Sequence, residues 1–196
     1  MIYNDKKKWV YISVPKSGTC TMLEVLENFY SGNRMLNGKE LHMHHNHLPD
    51  KCSKYYKFSM VRNPYSRAVS SWWSATQEEG IWEYFRNLLR LKGYNKNNIA
   101  SFFQWVLDNR VRKLRVIPQR DHIGHLNLDF IMRLENIDED FRKLPFHSGK
   151  KIKMPVINKA NNRKHWKEYL TPEAIRLINI IYFNDFHYYG YERMGT

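Results

Sequence analysis

Cysteine is nearly absent: the 196 residues contain two, Cys20 and Cys52. They give neither a disulfide framework nor a C-x-x-C metal spacing, and a reducing compartment is the simplest reading. No run of about eighteen apolar residues occurs, so no membrane-crossing helix is expected. The opening MIYNDKKKWV lacks the apolar stretch of a signal peptide. Internal repeats, low-complexity tracts and interdomain linkers are missing as well, which implies one domain over residues 1–196. Hydrophobic residues at 42% and aromatics at 15% exclude a disordered chain.

Acidic residues are also few. Nineteen Asp and Glu stand against 32 Lys and Arg, a formal charge of +13. Such an excess suits polyanionic partners: nucleic acid, anionic lipid, a polyphosphorylated cofactor or an acidic glycan. The cations are scattered, with short clusters at Lys6 to Lys8, Arg110 to Arg115 and Lys150 to Lys153. Charge alone therefore does not choose among these partners. The RVRKLR cluster reads either as a track for a sulfated or carboxylated sugar or as a solvated face.

Two segments carry more specific chemistry. VPKSGTCT (Val14 to Thr21) follows the apolar run WVYISV and precedes TMLEVLENFY, whose apolar residues recur at helical spacing. Strand, loop and helix are expected in that order. Amides at a helix start are unpaired and lie at the positive end of the helix dipole, where an anion is stabilised. Gly18 permits close backbone approach, Lys16 adds a mobile charge, and Ser17, Thr19 and Thr21 offer hydroxyls. A Walker A loop places its lysine after the last glycine. Lys16 precedes Gly18, which argues against an ordinary ATPase or GTPase.

VRNPYSRAVSSWW (Val61 to Trp73) follows the strand candidate KYYKFSMV. Pro64 suits the first turn of a helix, and Ser66 and Ser70 then fall four residues apart on one face. Arg62 at the strand end and Ser70 on the helix can grip a second phosphate, the guanidinium supplying a planar fork. The alternative is an arginine on a surface loop and an exposed serine.

PKSGT near the N-terminus and RNPYSRAVS some forty-five residues later together resemble the two nucleotide-binding motifs of sulfotransferases that use 3′-phosphoadenosine 5′-phosphosulfate (PAPS). The resemblance implies that Pro15, Lys16, Ser17, Gly18, Thr19, Cys20 and Thr21 form the 5′-phosphosulfate loop. It further implies that Arg62 and Ser70 hold the 3′-phosphate. Cys20 stands where cytosolic small-molecule members often carry a bulky aromatic, and their RKGxxGDWK segment is missing. The likeness is to the carbohydrate-type branch and its microbial relatives. LDFIMRLENIDEDF (Leu128 to Phe141), Pro118-Gln119 before it, and Ile157 to Tyr191 are similar to segments there. The same resemblance implies a P-loop nucleotide-hydrolase-like α/β fold, a single domain with a central parallel sheet flanked by helices. Animal carbohydrate members carry a membrane anchor, so its absence here implies a soluble, cytoplasmic microbial or viral member, unless an anchor has been removed.

Helices are expected at Thr19 to Tyr30, Tyr65 to Thr76, Ile81 to Leu91, Ile99 to Asn109, Asn136 to Leu144 and Pro172 to Phe183, and strands near Trp9, Phe58 and Phe130. Gly32 to Asp50, Gly93 to Asn98 and His147 to Pro155 read as long loops. Ligands of such sheets lie at the carboxyl ends of the strands, where both phosphate segments begin.

LHMHHNHLPD contains His42, His44, His45 and His47. As a zinc site it is incomplete: Asn46 replaces the Asp ligand of the metallo-β-lactamase pattern H-x-H-x-D-H, and no later histidine pattern supplies the rest. As a base it fits sulfuryl transfer, in which an acceptor hydroxyl attacks sulfur and an imidazole takes its proton. His45 and His47 look like an H-x-H pair of glycosaminoglycan-type members, and His42 like a lone histidine of some microbial ones. An exposed loop of histidines, with a carboxylate such as Glu40 as base, is the alternative. Lys16 would stabilise charge on the departing phosphate, with no metal needed. Arg163 and Lys164 are candidate secondary phosphate contacts. The resulting expectation is transfer from PAPS, leaving 3′-phosphoadenosine 5′-phosphate (PAP), to a hydroxyl-bearing acceptor, a carbohydrate. The rivals are a P-loop kinase-like phosphotransferase and a basic nucleic-acid-binding protein.

Overall fold

The computed structural model describes residues 1–34, 48, 50–76, 93–95, 97–112, 115–150, 152–155, 157 and 164–195. They form two compact units, Met1–Arg62 with Asp121–Ala160, and Asn63–Arg120 with Asn161–Thr196. The predicted helix Ile81 to Leu91 and most of the Gly32 to Asp50 loop lie outside the described residues.

The first unit holds the sheet. Strands β1 (Ile2–Asn4), β2 (Trp9–Ile12), β3 (Asn33–Arg34), β4 (Tyr56–Val61) and β5 (Phe130–Arg133) lie in the order β3-β1-β2-β4-β5. The three strands expected near Trp9, Phe58 and Phe130 pair in parallel, Trp9 opposite Tyr56 and Phe58 opposite Phe130. The sheet as a whole is mixed and not parallel: β1 runs antiparallel to β2, and β3 antiparallel to β1. Only the turn Asp5–Lys8 separates β1 from β2, far too few residues for the crossover that parallel neighbours need.

Helix α1 (Thr19–Tyr30) buries Met22, Leu23, Val25 and Leu26, the i, i+3, i+4 stripe of an amphipathic helix. These pack with Trp9, Tyr11, Phe58, Met60, Met132 and Phe141 in one core. Each fully buried side chain of this size contributes about 1.5–3 kcal/mol. Where α1 ends, Ser31 turns left-handed at φ 51°. The Asn4 side-chain amide donates to the Tyr30 and Ser31 carbonyls at 2.9 and 3.1 Å, fixing that end of the helix to β1.

The second unit is helical: α2 (Pro64–Thr76), α3 (Ile99–Asp108), the short α4 (Gln119–Ile123) at its border, α6 (Pro172–Ile181) and α7 (Phe183–Tyr189), with α5 (Ile137–Arg142) belonging to the first unit. Its own core gathers Tyr65, Val69, Trp72, Phe102, Phe103, Leu177, Ile178 and Phe186. Asn98 caps α3 by accepting the Ser101 amide at 3.1 Å, and Thr171 caps α6 by accepting the Ala174 amide at 3.2 Å ahead of Pro172. The helix expected to run through Phe183 stops at Ile181. Tyr182 leaves helical geometry, and its wholly buried side chain donates to the Val116 carbonyl at 2.8 Å.

Candidate functional site

The first predicted loop leaves the carboxyl end of β2 and enters α1, the strand, loop and helix order that its sequence suggests. Its two critical residues adopt left-handed backbone: Lys16 at φ 65° and Gly18 at φ 76°. At Gly18 a Cβ would meet Leu134 Cδ1 and Met60 Cε at 2.7 Å, both ends of flexible side chains that would have to move aside. Glycine is favoured here chiefly by conformation, with a smaller demand from close approach.

Local bonds fold the loop over itself. The Ser17 amide donates to the Val14 carbonyl at 3.3 Å, and Thr19 Oγ1 donates to the same carbonyl at 2.8 Å. Pro15, Ser17, Thr19 and Thr21 are buried, while Lys16, Gly18 and Cys20 are partly open. Thr21 Oγ1 donates to the Pro155 carbonyl at 2.9 Å, so this hydroxyl ties α1 to the segment before the C-terminal loop. No acidic side chain lies in the first turn of α1, and no side chain caps it. The positive end of its dipole therefore remains available to an external anion.

Arg62 follows β4, which neighbours β2, and its Nη1 donates to the Lys16 carbonyl at 3.2 Å. A guanidinium is thereby held against the loop that carries Lys16. A guanidinium beside a lysine-bearing loop is a pairing of the kind that recognises phosphate. Ser70 sits on α2 in the second unit, 8% exposed, with Ser66 buried on the same helix. Ser66 Oγ donates back to the Asn63 carbonyl at 3.2 Å.

Lys164 is exposed and its amide donates to the Tyr169 hydroxyl at 3.0 Å. Arg163 and the histidines His42, His44, His45 and His47 lie outside the described residues, as does Glu40. Among the described residues no group of three His, Cys, Asp or Glu could hold a metal ion. Nor is any described helix long and apolar enough to cross a membrane.

Asn63 and Asp185, with the side chains around them, escaped the sequence reading. Asn63 is the cap of α2, its Oδ1 accepting the Tyr65 and Ser66 amides at 3.0 and 3.3 Å. The asparagine before Pro64 was the available signal. Asp185 is wholly buried and accepts the Gln119 and Arg120 amides, both at 2.8 Å. Burial pushes its carboxyl above the ordinary range, opposed by the nearby Arg67 charge and by these amides. Arg67 Nη1 meanwhile donates to the Ile117 carbonyl at 3.0 Å and Ser71 Oγ to the Arg115 carbonyl at 2.7 Å. Together with Tyr182 these side chains bond the backbone at Arg115, Val116, Ile117, Gln119 and Arg120, on either side of Pro118.

A family model described as "Sulfotransferase family" matches residues 1–192. Among curated proteins, the chain is similar to carbohydrate sulfotransferase 12 of Mus musculus, 29% identical over 120 residues, covering 48% of this chain and 28% of that protein. The chain thus spans well under a third of this relative's length. No solved structure matches it.

Proposed function

The chain belongs to the sulfotransferase family, and from that premise we propose that it transfers the sulfuryl group of PAPS to an acceptor hydroxyl on a carbohydrate. The observation that carries this reading is the loop geometry: Lys16 and Gly18 in left-handed backbone at the start of α1, with Arg62 bonded to the Lys16 carbonyl. A doubly phosphorylated donor suits that concentration of cations and helix dipole.

In the proposed reaction the loop Pro15 to Thr21 binds the 5′-phosphosulfate, and Arg62 with Ser70 binds the 3′-phosphate. Arg163 and Lys164 add secondary contacts. The acceptor oxygen attacks sulfur in line, forming the new O–S bond as the bond from sulfur to the bridging phosphate oxygen breaks. The acceptor proton passes to an imidazole, drawn from His42, His45 and His47. Lys16 stabilises the charge that grows on the departing phosphate, and PAP leaves. Positioning and fixed charge do most of the work in such group transfers. The carbohydrate acceptor rests on the similarity to a protein named for carbohydrate sulfation.

Thermal shift and a transfer assay test this. PAP should raise the melting temperature without Mg²⁺, and radiolabel from PAPS should appear on one class in a panel of glycans, peptides and lipids. Stabilisation by ATP-Mg or by an oligonucleotide in place of PAP would leave a phosphotransferase or a nucleic-acid binder instead. Replacing the base by alanine should slow transfer about 10²–10⁴-fold at saturating PAPS. Full turnover in all four single variants His42→Ala, His44→Ala, His45→Ala and His47→Ala would move the base elsewhere, to a carboxylate such as Glu40.

A further inference from the structure

The RVRKLR cluster holds its arginines in two different settings. Arg112 is exposed, whereas Arg115 is half-buried. Arg115 belongs to the second unit, as α2 does, and two bonds join them. Ser71 Oγ donates to the Arg115 carbonyl at 2.7 Å, and Arg115 Nη1 donates to Ser74 Oγ at 3.0 Å. One turn nearer the start of α2, Arg67 Nη1 donates to the Ile117 carbonyl at 3.0 Å. Residues 115–117 therefore run along α2 towards its N-terminus, anchored through main chain and side chain. Ser74 is wholly buried, so its bond draws the Arg115 guanidinium onto the helix and away from bulk water. Ordering an arginine in this way costs up to about 2 kcal/mol of rotamer freedom, which a merely solvated cation keeps.

Ser66, Ser70 and Ser74 follow one another at four-residue spacing on one face of α2. Neighbours in such a row stand about 5–6 Å apart at Cβ. A guanidinium held at Ser74 is thus one turn beyond Ser70, the serine assigned above to the 3′-phosphate. A phosphate bonded to the Ser70 hydroxyl turns further oxygens towards that turn, and the planar fork of arginine matches them. We infer that Arg115 is a specificity-determining residue for the donor, meeting the 3′-phosphate beside Ser70. Ser74 is its positioning residue: by accepting from Nη1 it sets the fork, while the Ser71 bond fixes the main chain from which the side chain departs. Arg115 therefore favours nucleotides phosphorylated at both ends over those that carry a 5′ group alone. This role rests on the PAPS reading above, since it takes Ser70 as a phosphate ligand.

The test is Arg115→Gln in the full chain, titrated by calorimetry with PAP and with adenosine 5′-phosphate, which lacks the 3′ group. PAP should bind about 10–100-fold more weakly, while adenosine 5′-phosphate binds as it does to the wild type. Arg112→Gln removes the same charge from an exposed position and should leave PAP affinity unchanged. Ser74→Ala keeps the guanidinium but not its anchor, and should weaken PAP without weakening adenosine 5′-phosphate. Arg115→Lys, which keeps the charge and loses the fork, should also lower the preference for PAP, and it decides the matter if Arg115→Gln does not fold. An unchanged preference for PAP in the Arg115 variants, equal losses for the two nucleotides, or an equal loss in Arg112→Gln each overturn the role of Arg115 while leaving the PAPS reading intact. Failure of the wild-type chain to bind PAP overturns the functional reading and this role with it.

Discussion

At the scale of single residues, Lys16 joins two conflicting demands. Its backbone sits at φ 65°, where a residue with a Cβ is strained by about 1–2 kcal/mol, while the proposed reaction needs its amine. Lys16→Gly should therefore hold or raise stability by about 1 kcal/mol while slowing transfer about 10²–10³-fold. Urea melts and the radiolabel assay together check this, and a variant that loses both would make Lys16 a structural residue. Gly18 differs, because strain and crowding against Leu134 and Met60 add there. Gly18→Ala should cost about 1–2 kcal/mol from the backbone, somewhat more if Leu134 and Met60 do not move aside, and weaken PAP. Gly149, at φ 72° with nothing near its Cβ position, is the control. Gly149→Ala should cost about 1 kcal/mol and leave PAP affinity alone.

At the scale of elements, legibility follows the range of the forces. Helix α1 matches its predicted bounds because period and glycine lie within one stretch, and α2 starts one residue before its expected start, at Pro64. Strands β1 and β3 leave no local pattern to read, being three and two residues long and stabilised by pairing with distant neighbours. The Asp185 bonds to Gln119 and Arg120 link positions 66 and 65 residues apart, beyond any local pattern. That buried carboxylate has a pH signature. Its folded pKa is raised, so the folded state binds the proton more readily. Its contribution is most favourable below the ordinary value near 3.9, and stability is lost as pH rises through the folded pKa. Asp185→Asn should flatten that part of the profile of urea midpoint against pH; an unchanged slope would exclude Asp185 as its source. Asn63→Ala should cost about 1 kcal/mol and weaken PAP, since α2 carries Ser70. Thr171→Ala should cost the same and leave PAP binding untouched.

At the scale of the whole molecule, the formal charge of +13 acts on folding and on the donor with opposite signs. Like charges repel in the compact state, and added salt screens them. Raising NaCl from about 0.02 to 0.3 M shortens the screening length several-fold, so the melting temperature of the protein alone should rise by a few degrees. The attraction of Lys16 and Arg62 for a doubly phosphorylated nucleotide is screened by the same ions, so the Kd for PAP should rise several-fold over that range. In the proposed reaction these side chains supply the positive charge, so EDTA should leave transfer unchanged. Calorimetry across the salt series decides the matter. Donor affinity that ignores salt would show that the anion is held by something other than these half-buried cations, whereas opposite slopes for stability and binding are the consequence of a loop that concentrates charge on an already basic chain.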